Sequence, residues 1–218
     1  MYKNIFSDPE FWFLITINCI LAYLYKVGQI AVFTIVWIYY VQSLLIGVQY
    51  FVRLLSLKNT GVADVKINAS SPRKMAFFFL LHYGFFHFVY FIFLAAMTFS
   101  DTPNIQVDVQ YFLFAVSGFA VNTIFSLISQ VRQDRVEHPS AGLIFFIPYL
   151  RIIPMHLFII LGFGQELSAA GETPFPFLHL IGSFGIFLIL KTISDVLLYV
   201  VTNKTWKRER SRVIGELL

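Results

Sequence analysis

Long apolar runs alternate with short polar stretches along most of the chain. A helix that spans the hydrocarbon core of a membrane needs about 20 consecutive apolar residues. Six segments approach that length, at about 11–27, 29–52, 74–99, 107–130, 142–163 and 175–201. The pattern predicts an all-α integral membrane protein with six transmembrane helices, and the short connections predict a single polytopic domain over residues 1–218.

The composition agrees with a lipid environment. Hydrophobic residues make up 58% of the chain and charged residues only 13%, against about 25% charged residues in an ordinary soluble domain. The six segments use most of the 218 residues, so we expect no soluble catalytic domain. The single cysteine, Cys19, excludes an intrachain disulfide and a metal site built from several thiolates.

Basic residues flank the six segments unevenly. Only Lys26 lies at one set of ends, and thirteen basic residues lie at the other: Lys3, Arg53, Lys58, Lys66, Arg73, Lys74, Arg132, Arg135, Lys204, Lys207, Arg208, Arg210 and Arg212. Cytoplasmic loops carry such an excess. The sequence therefore predicts a protein of the cell membrane with both termini in the cytoplasm. Because topology accounts for the net charge of +4, we expect the lipid bilayer as a partner and no nucleic acid.

Four ionisable residues interrupt the fifth and sixth segments, namely Arg151 and His156 in one and Lys191 and Asp195 in the other. A charge near the centre of a membrane helix costs about 2.5–3.5 kcal/mol on translocon-insertion scales, so such residues face a protein interior or a wet cavity. Lys191 and Asp195 are four residues apart and can pair on one helix face. The residues predict either a functional site or a structural ion-pair cluster with Arg151 as its third member.

Helical rise places these residues at defined depths. Counting about 1.5 Å per residue from the cytoplasmic ends predicts two polar layers. The lower layer holds His82, Arg151, Lys191 and Asp195, and the upper layer holds His87 and His156. Within the third segment, Tyr83, His87 and Tyr90 follow i, i+4, i+7 spacing and share a face, whereas His82 and His87 point about 140° apart.

Two prolines disturb the fifth segment. Pro148 and Pro154 each lack an amide hydrogen and clash with the carbonyl four residues earlier, so the helix should kink or open. The carbonyls of Ile144 and Leu150 then need donors, and Arg151 lies between the prolines with five of them. Broken helices mark binding sites in many membrane proteins, although a kink can also serve packing alone.

The polar residues predict two kinds of occupant. Imidazole and carboxylate groups bind divalent transition metals such as zinc, and the candidate ligands are His82, His87, His156 and Asp195. A haem held between His87 and His156 is a variant of this site. A polar ligand would instead contact Arg151, Lys191, Asp195 and Tyr83. No local metal-binding motif chooses between them, so the cofactor stays unidentified.

A serine and a histidine supply a further, catalytic hypothesis. The stretch from Ala115 to Gly118, with Ser117, and the stretch from His179 to Gly185 resemble the serine and histidine motifs of the rhomboid intramembrane proteases. Ala115 replaces the first glycine of the serine motif. This resemblance implies a Ser117–His179 dyad, while small residues in such helices more often form packing surfaces.

Three stretches resemble an uncharacterised family of prokaryotic membrane proteins classed as a domain of unknown function. They are His82-Tyr83-Gly84 with His87, then Pro148-Tyr149-Leu150-Arg151 leading to Met155-His156, then Leu190-Lys191-Thr192 with Asp195. The resemblance implies a polar site shared by the third, fifth and sixth segments and implies no particular reaction.

Several functional classes therefore remain open. A membrane protein that binds a metal or another ligand at the polar site is the leading hypothesis. A small transporter or proton-coupled channel, a rhomboid-like protease or an inactive relative of one, and an accessory subunit that contacts another membrane protein or a second copy are the others. Whether the chain is an enzyme is left undecided.

Overall fold

The computed structural model describes residues 9–57, 71–99, 107–137, 139–167, 185 and 187–200. Every regular element in these ranges is helical, which confirms the predicted all-α class. The elements are α1 (Pro9–Lys26), α2 (Val32–Ser56), α3 (Pro72–Thr98), α4 (Val109–Glu137), α5 (Ala141–Phe146), a 3₁₀ helix (Ile147–Arg151), α6 (Ile152–Leu167) and α7 (187–200).

Four stretches are long and apolar enough to cross a membrane. They are Val32–Ser56, Pro72–Thr98, Val109–Val136 and Ala141–Ile160, and they coincide with the second to fifth predicted segments. The apolar part of α1 is shorter, at Ile15–Lys26. For the sixth predicted segment, 175–184 lie outside the described residues and 187–200 form α7. Long apolar helices thus indicate membrane association. Four candidate spans lie among the described residues, and the sequence predicts six over the whole chain.

Helix α2 is the centre of the packing. It contacts α3, α4, α5 and the 3₁₀ helix, and its side chains Val36, Tyr39 and Leu54 are completely buried. Against it pack Phe79 and Leu94 of α3, which are also removed from solvent. Because α2 is enclosed by its neighbours, polar side chains on it find protein partners and can build a site.

One glycine sets how closely α3 approaches α2. A Cβ atom added to Gly47 would lie 2.5 Å from Cε1 of Tyr83, a separation shorter than any ordinary carbon–carbon contact. The Tyr83 ring cannot easily retreat, because it is buried and its hydroxyl donates to the carbonyl of Ser43 at 2.9 Å. Gly47 therefore fixes the distance between the two helices at the level of Ser43 and Tyr83.

We expect Gly47→Ala to lower the free energy of unfolding by about 1–3 kcal/mol, because the new methyl group overpacks a full core. Gly84→Ala is the matched control, since a Cβ there meets nothing within 4 Å. That substitution should stabilise the protein by about 0.5–1 kcal/mol through the higher helix propensity of alanine. Chemical denaturation in detergent measures both, and equal effects of the two would contradict the close contact.

Polar contacts attach α4 to α2 along their length. The two helices run parallel: Asp108, just before α4, accepts hydrogen bonds from the amide of Ala31 at 3.0 Å and from Thr34 Oγ1 at 3.3 Å. Further along, Gln49 donates to Gln130 Oε1 at 2.8 Å. The opposite face of α4 is exposed and apolar, with Phe114 and Phe125 as examples. This seam holds α4 at the edge of the bundle.

The seam ends in a buried ion pair. Arg53 Nε lies 2.8 Å from Asp134 Oδ2 and Arg53 Nη2 lies 2.9 Å from Asp134 Oδ1, and both residues are 2% exposed. The sequence placed Arg53 among the basic residues that flank the segments. It lies near the end of α2 as expected, but it is enclosed by α4 and fully paired with it.

Candidate functional site

Three charged side chains meet between the 3₁₀ helix, α7 and α1, and we call Arg151, Lys191 and Asp195 the charged cluster. Lys191 Nζ lies 2.8 Å from Asp195 Oδ2, one helical turn away on α7. Arg151 Nη2, at the end of the 3₁₀ helix, lies 3.4 Å from Asp195 Oδ1. Lys191 also donates to Asn18 Oδ1 of α1 at 2.8 Å. The predicted meeting of these three charges in one layer is confirmed.

Tyr39 of α2 lies against both cations. Its ring centroid is 4.9 Å from the guanidinium carbon of Arg151 and 5.8 Å from Nζ of Lys191. Its hydroxyl donates to the carbonyl oxygen of Arg151 at 3.1 Å. Aromatic faces attract cations, most strongly where water is excluded. Because Tyr39 is completely buried, it gives the cluster a rigid wall on the α2 side.

The break in the fifth segment positions Arg151. The α-helical pattern stops at Phe146, a 3₁₀ helix runs through Pro148 to Arg151, and α6 begins at Ile152. The predicted irregularity between the two prolines is thus confirmed. The carbonyl of Leu150, which Pro154 cannot bond, accepts a hydrogen bond from Ser194 Oγ at 2.7 Å. The donor expected from sequence was Arg151; the structure uses a hydroxyl of α7 instead, because that hydroxyl faces the break directly.

The cluster carries more positive than negative charge. Two cations, Arg151 and Lys191, contact the single carboxylate of Asp195, and no second carboxylate pairs with either cation in the part of the chain that the structure describes. Arg151 and Lys191 are each 5% exposed. Within the same described part, the Nε atom of Arg151 is buried without a hydrogen-bond partner. The cluster therefore offers one unit of uncompensated positive charge and one unused donor.

His82 does not join this layer. Its ring lies on the exposed side of α3, where it stacks on Phe78 at 5.5 Å between centroids. Its Nδ1 atom lies 2.9 Å from the hydroxyl of Tyr149. The predicted depth agrees with its place beside the 3₁₀ helix, but depth alone does not fix direction. The rotation of α3 turns His82 away from Asp195.

His87 faces α2 and belongs to a buried hydrogen-bonded group. Its Nδ1 donates to the carbonyl of Tyr83 at 2.9 Å, because a carbonyl can only accept. Its Nε2 then accepts from Ser43 Oγ at 3.0 Å, and Ser43 Oγ also lies 2.8 Å from the hydroxyl of Tyr83. Both ring nitrogens are in use, so His87 joins α3 to α2.

The predicted pairing of His87 with His156 is not observed. The side chain of His156 is exposed on α6, and its Nδ1 lies 3.3 Å from the hydroxyl of Tyr90. The face shared by Tyr83, His87 and Tyr90 is confirmed, because all three are buried along α3. Tyr83 was also a candidate ligand-binding residue, and its hydroxyl is directed to Ser43 in the group around His87.

The structure gives no support for the metal site predicted from His82, His87, His156 and Asp195. Throughout the residues described, no three histidine, cysteine, aspartate or glutamate side chains lie close enough to hold one ion. The physical reason is helical geometry. His82 and His87 are five residues apart and point in different directions, while Asp195 is bound by Arg151 and Lys191.

The suggested Ser117–His179 dyad receives no support either. Ser117 lies on an exposed part of α4, the helix at the edge of the bundle. His179 lies outside the described residues. The small side chains around Ser117 therefore stand, as far as the structure describes them, on an open helix surface.

Comparison with known proteins identifies the family. A family profile with the description "Family of unknown function (DUF6498)" matches residues 2–212. The chain belongs to this family. The matched range includes all three stretches on which the resemblance to a domain of unknown function rested, so that prediction is confirmed. No curated protein and no solved structure matches the chain.

Four residues that contact the charged cluster or the helix break in this DUF6498 protein are absent from the site predicted from sequence: Asn18, Tyr39, Gln42 and Ser194. Asn18 carried a signal, because it is a lone amide within the apolar first segment and turns out to hold Lys191. Ser194 carried none, since hydroxyl side chains are common on helices, and Gln42 is one of three glutamines in the second segment. Tyr39 was one tyrosine among 11 in the chain. Its role depends on which face of α2 turns toward Arg151.

Proposed function

We propose that this chain is a multi-pass membrane protein, with both termini in the cytoplasm, that binds a small anionic solute at the charged cluster. One observation carries the proposal: Arg151 and Lys191 are buried together and share the carboxylate of Asp195. An uncompensated charge in a low-dielectric interior is strongly unfavourable. A bound monoanion would bring the cluster to neutrality.

The surroundings of the cluster support a binding site over a purely structural ion pair. The 3₁₀ helix interrupts the fifth segment at Arg151 itself, and irregular backbone within membrane helices is a recurring feature of solute sites. A structural pair would be expected to bond its buried Nε donor, as Arg53 does with Asp134. The Nε donor of Arg151 is instead buried without a hydrogen-bond partner among the described residues.

We expect small anions to stabilise the purified protein against heat. A ligand that binds only the folded state at 100 times its Kd adds about 2.7 kcal/mol to the free energy of unfolding. The measurement is the unfolding midpoint in a neutral detergent as chloride, acetate, phosphate or sulfate replaces a bulky, weakly coordinating anion at constant ionic strength.

Two variants separate the cluster from general charge effects. Lys191→Met removes one cation of the cluster and should abolish the anion-dependent rise in midpoint. Arg135→Met removes an exposed cation of α4 and should leave the rise unchanged. A midpoint that does not respond to any of the anions, or that responds equally in both variants, would overturn the proposal.

A further inference from the structure

The Nε and Nη2 atoms form one edge of an arginine guanidinium group. This edge is bonded to a carboxylate in Arg53 and differs there from the same edge of Arg151. Nε and Nη2 of Arg53 lie 2.8 Å and 2.9 Å from the two oxygens of Asp134. Such two-pronged pairing, with two parallel N–H···O hydrogen bonds, is the strongest way for arginine to bind a carboxylate or a phosphate. Arg53 therefore gives the geometry of the Nε/Nη2 edge when a carboxylate accepts a hydrogen bond from each donor.

The corresponding edge of Arg151 is mostly unused. Nη2 contacts Asp195 Oδ1 at 3.4 Å and Gln42 Oε1 at 3.5 Å, both at the limit of hydrogen-bonding distance. Nε has no partner among the described residues, although the side chain is only 6% exposed. A buried guanidinium donor without a partner is unfavourable, because it has lost its water and gained nothing in exchange.

Asp195 is not free to fill this edge. Its Oδ2 atom is 2.8 Å from Nζ of Lys191, four residues earlier on the same helix. Lys191 is in turn fixed by Asn18 at 2.8 Å. Turning the carboxylate to face Arg151 with both oxygens would break the shorter of its two ion pairs. The arrangement holds Asp195 to one side, leaves the Nε donor available to another group and gives Nη2 only two long contacts.

We propose that the Nε/Nη2 edge of Arg151 binds the oxoanion group of the solute, a carboxylate or a phosphate, through two of its oxygens. This inference rests on the proposed function and names the chemical class of its ligand. The incoming group repeats the geometry of Asp134 on Arg53 and balances the charge that Asp195 leaves uncompensated. Tyr39 supports the guanidinium from behind, 4.9 Å from its carbon, and so fixes the direction of the edge.

The proposal predicts selectivity by shape as well as by charge. A carboxylate or a phosphate offers two oxygens at the spacing of the two donors, whereas a halide meets both donors with one atom and poorer angles. One charge-assisted hydrogen bond corresponds to about a 10-fold difference in affinity or more. We therefore expect acetate or inorganic phosphate to bind at least about 10-fold more tightly than chloride.

Arg151→Lys tests the two-pronged contact directly. Lysine keeps the positive charge but supplies a single point donor in place of a planar fork. The unfolding midpoint is titrated with acetate, inorganic phosphate and chloride for the wild type, for Arg151→Lys and for the exposed control Arg135→Lys. We expect Arg151→Lys to lose the preference for oxoanions while it still responds to chloride, and Arg135→Lys to behave like the wild type.

A second measurement needs no variant and so does not depend on the folding of Arg151→Lys. The infrared difference spectrum of ¹³C-labelled acetate reports the separation of its two carboxylate stretching bands, which changes when both oxygens accept hydrogen bonds from one arginine. We expect such a change for acetate bound to the wild-type protein. Bound acetate whose bands match those of free acetate would overturn the two-pronged contact.

The outcomes distinguish this inference from the function on which it rests. Equal affinity for chloride and oxoanions overturns the inference and leaves anion binding intact, whereas no response to any anion overturns both. Further titrations compare lipid sources of the oxoanion. They use palmitate for a carboxylate, and nanodiscs with and without phosphatidylglycerol for a phosphate. If the lipids compete with acetate, the oxoanion comes from the bilayer; if only acetate or phosphate binds, it comes from water.

Discussion

Replacing Asp195 by Asn is expected to destabilise the protein by about 3–5 kcal/mol, because it leaves Arg151 and Lys191 buried without their shared carboxylate. Both cations would then lie beside Tyr39, at 4.9 Å and 5.8 Å from its ring, with no carboxylate between them. The shape of the side chain is unchanged, so the effect reports charge and not packing. Chemical denaturation in detergent, with helical content followed by circular dichroism, measures the loss.

A double variant supplies the control. Lys191→Met combined with Asp195→Asn returns the cluster to one net positive charge and should recover a large part of the lost stability. Asp195→Asn alone should also gain more from added acetate than the wild type, because its cluster has a larger charge to neutralise. A loss under about 1 kcal/mol, of the size found for exposed ion pairs, would show that the three charges are solvated in the native protein.

Replacing Arg53 by Ala is expected to cost about 3–5 kcal/mol as well, because the change strands the buried carboxylate of Asp134 between α2 and α4. The pair is bonded at 2.8 Å and 2.9 Å and is 2% exposed on both sides. It also lies at the end of the seam through Gln49 and Gln130. Loss of the pair should therefore loosen α4, which packs mainly against α2 among the described elements.

The change is measured by chemical denaturation in detergent. Arg135→Ala, one residue beyond Asp134 and exposed, is the control and should change the free energy of unfolding by about 0.5 kcal/mol or less. Because Arg53→Ala leaves an unpaired carboxylate and no unpaired cation, added anions should not rescue it. An equal loss in the two variants would mean that the buried pair contributes little.

The two arginines illustrate opposite uses of one side chain. Arg53 joins two helices, and its Nε and Nη2 donors are both bonded to Asp134. Arg151 is held in place by Tyr39 and by the helix break, but its Nε donor has no partner among the described residues. This contrast, and not the mere presence of charge in apolar helices, separates a site from a structural pair. Membership of a family described as one of unknown function supplies no reaction of its own. The proposed function therefore rests on the chemistry of the cluster.

Much of the architecture follows from the sequence alone. Apolar runs of sufficient length predicted the second to fifth segments, and the structure has a candidate span at each of them. Pro148 and Pro154 predicted the break that the 3₁₀ helix forms. Lys191 and Asp195 were paired from their spacing of four residues, and the rise of a helix placed Arg151 at the same depth. These successes concern properties of a single helix: its length, its interruption, its internal spacing and the depth of each residue.

The errors concern contacts between helices. His82 and His87 were assigned plausible depths, but the rotation of α3, which depends on the contact of Tyr83 with Gly47, directs His82 outward and His87 onto Ser43. The partnership of Arg53 with Asp134 joins residues 81 positions apart, and no periodic pattern links them. The predicted metal site finds no support among the described residues for the same reason, because its ligands were chosen by depth without direction.

The order of apolar and polar residues is enough to predict the helices of the described part, the break in one of them and the charges that share a depth. Packing between helices sets which way each helix turns and hence which donors are used, such as Ser194 on Leu150 and Asn18 on Lys191. The physical reason is that rise and period are properties of the backbone, whereas rotation about a helix axis is set by the shapes of neighbouring side chains. The Nε donor of Arg151, which has no partner among the described residues, is a result of such packing and is not visible in the sequence.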